Sequence, residues 1–170
     1  MSRRDEERRK RGVRDPIEQM LRSKDLAERL KAVQLLAERR DKTRLLSLLF
    51  SESWHVREKT AKLLVSFGEE IKDDILPLLD EGYWYVRAAA CLIIGEIGDE
   101  RALPRLVELL KEHNETVRGE AAKAIAKLVK GDRKLYENID LNDRLILENT
   151  LKAQKAFELL EVVKGYERME

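Results

Sequence analysis

Arginine recurs at positions 29, 57, 87 and 118, at intervals of 28, 30 and 31 residues, and each copy opens the same pattern. Three and four residues later come Ala32 and Val33, Thr60 and Ala61, Ala90 and Cys91, Ala121 and Ala122. Six and seven residues later come Leu35 and Leu36, Leu63 and Leu64, Ile93 and Ile94, Ala124 and Ile125. Apolar or small residues at these intervals fall on one stripe of an α-helix, and the small ones let a neighbouring helix approach closely. A repeat of about 30 residues is one helical hairpin that cannot bury its stripe alone, so copies must stack.

The second helix of each hairpin keeps the same phase. Eight residues before Arg57, Arg87 and Arg118 stand Leu49, Leu79 and Leu110, which close the patterns LLSLL, ILPLL and LVELL. Between first and second helices lie turn or cap residues: Asp41, Gly68, then Gly98 and Asp99. Pro77 falls inside the second of these patterns, where a proline removes a backbone hydrogen bond and kinks the helix unless the helix starts late.

A unit with the phrasing VRxxAAxxLGxxGDxxALPxLxxLL resembles the short HEAT repeats of the kind found in phycobilin lyase subunits. Residues 83–112 match it nearly throughout, 53–82 well and 25–52 moderately, with Glu28 where a valine is expected. The resemblance implies an all-α fold, an α-α superhelix in the form of a right-handed solenoid of about four hairpins. The repeats run over 25–52, 53–82, 83–113 and 114–131, and the fourth loses its second helix. Residues 15–170 are expected to form a single domain. DPIEQML, from Asp15, starts a leading N-terminal helix with a capping box. Residues 142–167 are expected to form a long C-terminal helix that either closes the stack or pairs with another protomer.

Composition restricts the function. The formal net charge is +1, from 34 basic and 33 acidic residues, so the whole molecule has no field that draws in nucleic acid or an anionic membrane. Residues 1–14 hold seven basic against three acidic residues and read as a mobile basic arm, through which an alternative function, nucleic-acid binding, would act. The only cysteine, Cys91, rules out an internal disulfide or a cysteine-based zinc site and reads as a small buried thiol. No run approaches the ~20 apolar residues of a membrane helix, and the chain reads as cytoplasmic. High charge with little Asn or Gln is a balance seen in proteins from hot environments.

No catalytic constellation is visible. His55 and His113 have no neighbour at metal-ligand spacing, so no metal or other cofactor is expected. The iron-binding hydroxylases among HEAT proteins repeat His-Glu pairs, whereas here Val56 follows His55 and Asn114 follows His113. The reading is a non-enzymatic scaffold that binds another protein, as a monomer or as a homodimer through the C-terminal helix. Its second alternative, an enzyme subunit like the lyases, rests on the shared repeat alone.

Two binding surfaces are candidates. One is the concave groove that the resemblance implies the second helices line, with Arg44, Phe50, Asp74 and Arg105. That groove turns acidic in its middle, since residues 54–82 hold four basic against seven acidic residues, and it cannot track a phosphate backbone. The other is YWYVR at 83–87. Its Val86 and Arg87 belong to the repeat, the arginines Arg29, Arg57, Arg87 and Arg118 are expected to form a structural ladder, and Trp54 and Trp84 are expected to pack the seam between units. Tyr83 and Tyr85 have no counterpart in the other repeats and are left as a patch for a partner.

Overall fold

The computed structural model describes residues 15–168; among these there are helices and turns but no strand, and the fold is all-α. The basic arm expected over residues 1–14 lies outside the described residues, and with it the nucleic-acid alternative. Contacts group the chain into two compact units, Met1–Leu63 and Leu64–Glu170.

The first unit contains α1 (Pro16–Leu21), α2 (Leu26–Glu38), α3 (Lys42–Leu48) and most of α4 (Trp54–Leu64). Each start of the first three is capped by an aspartate. Asp15 accepts from the Ile17 amide at 3.0 Å, Asp25 from Ala27 at 2.9 Å and Asp41 from Arg44 at 3.1 Å. These bonds satisfy amides that lack an intrahelical acceptor. Arg40, at φ 53°, takes the left-handed conformation that reverses the chain between α2 and α3. Ile17, Ala32, Val33, Leu36, Leu45 and Leu49 are fully buried, so the stripe read from the arginine period faces the core.

The second unit begins with a 3-10 segment (Val65–Ile71), α5 (Lys72–Ile75) and a further 3-10 turn (Leu76–Asp80). The kink expected from Pro77 takes the form of this change from α to 3-10 winding, with proline in the first turn of the 3-10 segment that directly follows α5. Then come α6 (Trp84–Ile97), a 3-10 turn (Glu100–Ala102), α7 (Leu103–Leu109), α8 (Glu115–Gly131), α9 (Arg133–Glu137), α10 (Leu141–Ala153) and α11 (Phe157–Glu167). Gly98, at φ 74°, ends α6 in the left-handed region and Asp99 caps the following turn.

Helix α8 is the centre of this unit. It packs along α6 on one side and against α7, α10 and α11 on others. The seam with α6 depends on small residues: a Cβ on Gly95 would stand 2.8 Å from the Ala124 Cα, so only glycine permits this approach.

Two expectations are corrected here. The fourth repeat keeps a second helix, shortened to the five residues of α9. Gly131 and Asp132 repeat the Gly98–Asp99 signal, and Asp132 accepts from the Lys134 amide at 2.9 Å. The C-terminal segment is two helices, not one over 142–167. Lys155 adopts φ 55° and the Ala156 amide returns to the Leu151 carbonyl at 2.9 Å, which ends α10 before α11 begins.

Candidate functional site

The periodic arginines act on backbone. Arg57 donates from Nη1 to the carbonyls of Ser51 and Glu52 at 2.6 and 2.9 Å. Arg87 binds the carbonyls of Glu81 and Gly82 at 2.6 and 3.2 Å and pairs with Glu112 at 3.2 Å. Arg118 binds the carbonyls of Glu112 and His113, both at 2.7 Å. The acceptors always lie six and five residues upstream, in the turn after the preceding second helix, where carbonyls have no regular donor. A charged, forked donor closes that joint more strongly than a neutral one. In the first copy, Arg29, the Nε is buried with no hydrogen-bond partner.

The aromatic residues behave differently. Tyr83 is the N-cap of α6 but its side chain makes no capping bond, whereas Asn114 caps α8 through the amides of Thr116 and Val117. The Tyr83 and Tyr85 rings instead stack, with centroids 5.4 Å apart and planes 23° from parallel. Trp84 stands edge-on to Tyr85 at 5.7 Å. Tyr83 is 57% exposed and Trp84 42%; in the first unit Trp54 is 58% exposed, edge-on to His55 at 4.8 Å. The expectation that Trp54 and Trp84 pack a seam is therefore corrected. Side chains of a helix lean toward its N-terminus, so rings at the first helical position project past the hairpin end into solvent.

The groove candidates divide between the units. Arg44 and Phe50 belong to the first, Asp74 and Arg105 to the second. Arg44 joins two caps, donating from Nη1 to Asp15 and from Nε to Asp41 at 2.6 Å. The bond from Arg44, with the Ile17 amide, holds the Asp15 carboxyl below its ordinary range. Burial pushes Asp41 upward, and the side-chain and backbone bonds of Arg44 outweigh it, leaving that carboxyl lowered too. Phe50 is 38% exposed just past α3. Arg105 binds Asp80 at 2.7 Å and Glu108 at 2.6 Å. Its neighbour Arg101 forks onto Asp99 at 2.9 and 2.8 Å and reaches Asp73 at 2.8 Å. The groove arginines are thus already bound to carboxylates of their own unit.

Cys91 is fully buried, and burial pushes its thiol up to about 12, so no thiolate forms near neutrality. Among the described residues no cluster of His, Cys, Asp and Glu fits a metal ion, and no helix is long and apolar enough to cross a membrane.

A family model described as HEAT repeats matches residues 72–137, from the start of α5 to the end of α9. That stretch is similar to HEAT repeats. The match runs through α9, in agreement with a shortened rather than missing second helix in repeat four. Nineteen chains of solved structures match the protein. Among them is an engineered protein, at 21% identity and a TM-score of 0.49, with 88% of this chain and 77% of that one covered. Another is the complex of CpcE and CpcF of phycocyanin lyase from Nostoc sp. PCC7120, at 18% identity and a TM-score of 0.48, covering 93% and 70%. No curated protein matches. The arginine joints and buried stripe recur from one repeat to the next, whereas the stacked tyrosines occur in one repeat, beside Trp84. Sequence reasoning assigned Trp84 to structure because Trp54 repeats it; the signal it passed over is that both tryptophans occupy a first helical position, which faces outward.

Proposed function

We propose that the protein is a non-enzymatic scaffold that holds a partner protein at the aromatic edge formed by Tyr83, Trp84 and Tyr85. The observation that supports this is the exposure of Tyr83 and Trp84 beside a stacked Tyr85, in a chain with 5% aromatic residues. Tyrosine and tryptophan dominate the energetic centres of protein interfaces because each removes a large area from water while ordering few torsions. The mutual packing of these rings orders them before a partner arrives, which lowers the entropy lost on binding. The groove is less suited. A partner bound near Arg44 or Arg105 has to compete with Asp15, Asp41, Asp80 and Glu108 for the same guanidinium groups. A reducing compartment such as the cytoplasm suits a chain whose one cysteine is buried and unpaired.

Affinity capture from host lysate with mass spectrometry tests the reading, using the native chain, Tyr83→Ala with Trp84→Ala, and a charge reversal at Asp74 and Arg105. The aromatic pair variant is expected to lose the partner with its helical circular dichroism unchanged, and the charge reversal to keep it. The opposite pattern moves the site to the groove, and capture indifferent to both variants defeats the proposal.

A further inference from the structure

Because α9 is only five residues long, the outer side of α7 in the preceding repeat is left partly uncovered. A recess of about 410 Å³ opens there, between α7, α9 and the start of α10. Its floor is apolar: Leu103 and Ile139 are nearly buried, and Val107 and Leu135 are half-buried beside an exposed Pro104. Its polar rim carries the carboxylates of Glu100, Asp140 and Asp143, and no lining residue is basic. Asp143 is answered by Lys111 at 2.7 Å. Glu100 and Asp140 form no ion pair among the described residues. Asp140 accepts from the Asp143 amide at 2.9 Å, the main reason its carboxyl is held below the ordinary range and stays charged.

An apolar floor with Glu100 and Asp140 on its rim, the latter also within the field of Lys111, is complementary to an apolar side chain flanked by cations. We infer that the recess is a second docking site, taking a partner segment that presents one large aliphatic side chain between lysine or arginine residues. Such a segment occupies the place a full-length second helix of repeat four would fill. The aliphatic group replaces water over Val107 and Leu135, and its basic neighbours set orientation and rate of arrival through Glu100 and Asp140. The site stands apart from the aromatic edge of α6 and does not depend on it.

The test is a titration of the methyl-labelled full chain, followed by NMR, with a blocked pentapeptide carrying leucine between two arginines on each side. Saturable shifts are expected at the methyl groups of Leu103, Val107 and Leu135. Glu100→Gln with Asp140→Asn should weaken binding about tenfold at low salt; asparagine still caps α10, so the fold is kept. Leu135→Lys should abolish it, and Tyr83→Ala with Trp84→Ala should leave it unchanged, which separates this site from the proposed function. Equal binding of a peptide with glutamates in place of the arginines, shifts located elsewhere, or no shift at millimolar peptide would overturn the inference.

Discussion

Helix α8 is held on two sides by different chemistry. Toward α6 it presents a seam of small apolar residues, where Gly95 meets Ala124 and Ala90, Cys91, Ala121 and Ala122 are fully buried. Toward α9, α10 and α11, buried Leu147, Leu151, Leu160 and Val163 are joined by a set of polar contacts that the α6 seam lacks. Tyr166 donates to the Val129 carbonyl at 2.8 Å, and buried Tyr136 donates to Glu167 at 3.2 Å. Arg144 lies over the Tyr136 ring at 4.4 Å while its Nε binds the Ile139 carbonyl at 2.9 Å. The seam is a product of the repeat: dispersion and area burial hold it, and neither responds to pH. The cap lies where the repeat ends, and there each polar group must find its own partner or be left unsatisfied.

The contrast sharpens with the variant of largest effect, Ile94→Ala in α6. Removing a fully buried side chain is expected to lower stability by about 2–5 kcal/mol, read from the urea midpoint by circular dichroism and equal at pH 5 and pH 7. Arg144→Met comes next, at roughly 2 kcal/mol, because it strips donors from buried carbonyls while filling a similar volume; hydrogen exchange should show the loss concentrated in α9 to α11. If protection falls equally in α6, the two sides are one cooperative unit and the contrast fails. Gly95→Ala is expected to destabilise by about 1 kcal/mol, since the clash with Ala124 backbone is partly offset by the better helix propensity of alanine.

The smallest effect comes from Glu148 in α10. Burial, then the hydrogen bond and charge of Glu167, raises its carboxyl above the ordinary 4.5. A raised acid favours the folded state when protonated, so that contribution is complete below about pH 4.5 and is lost as pH rises through the folded value. Glu148→Gln should therefore raise the melting temperature slightly at pH 7 and make no difference near pH 4. A variant with the same effect at both values would remove pH sensitivity from the cap.

What could be read from the sequence follows the same division. The stripe three, four and seven residues after each arginine is buried in all four copies, from Ala32, Val33 and Leu36 to Ala121, Ala122 and Ile125. Repetition made it legible, because four instances of one solution reveal the spacing. The break at Lys155 was not legible: no glycine or proline marks it, and a lysine in the left-handed region is settled by packing around it. Helix α9 was missed because Arg133–Glu137 keeps the Gly–Asp turn but loses the doubled-leucine pattern that identified the other second helices. Tyr83 and Tyr85 stood out as departures from the repeat, yet their stacking and exposure depend on where α6 starts.

The arginine joints carry a consequence for engineering. Because Arg57, Arg87 and Arg118 each grip main-chain oxygens, the residues supplying those oxygens differ freely: serine and glutamate, glutamate and glycine, glutamate and histidine. The joint works as a coupling that takes a different pair of side chains on its socket side in each of these three copies. A hairpin beginning with Val-Arg is thus a transplantable part, and the chain can be lengthened by duplicating one without redesigning the turn that receives it.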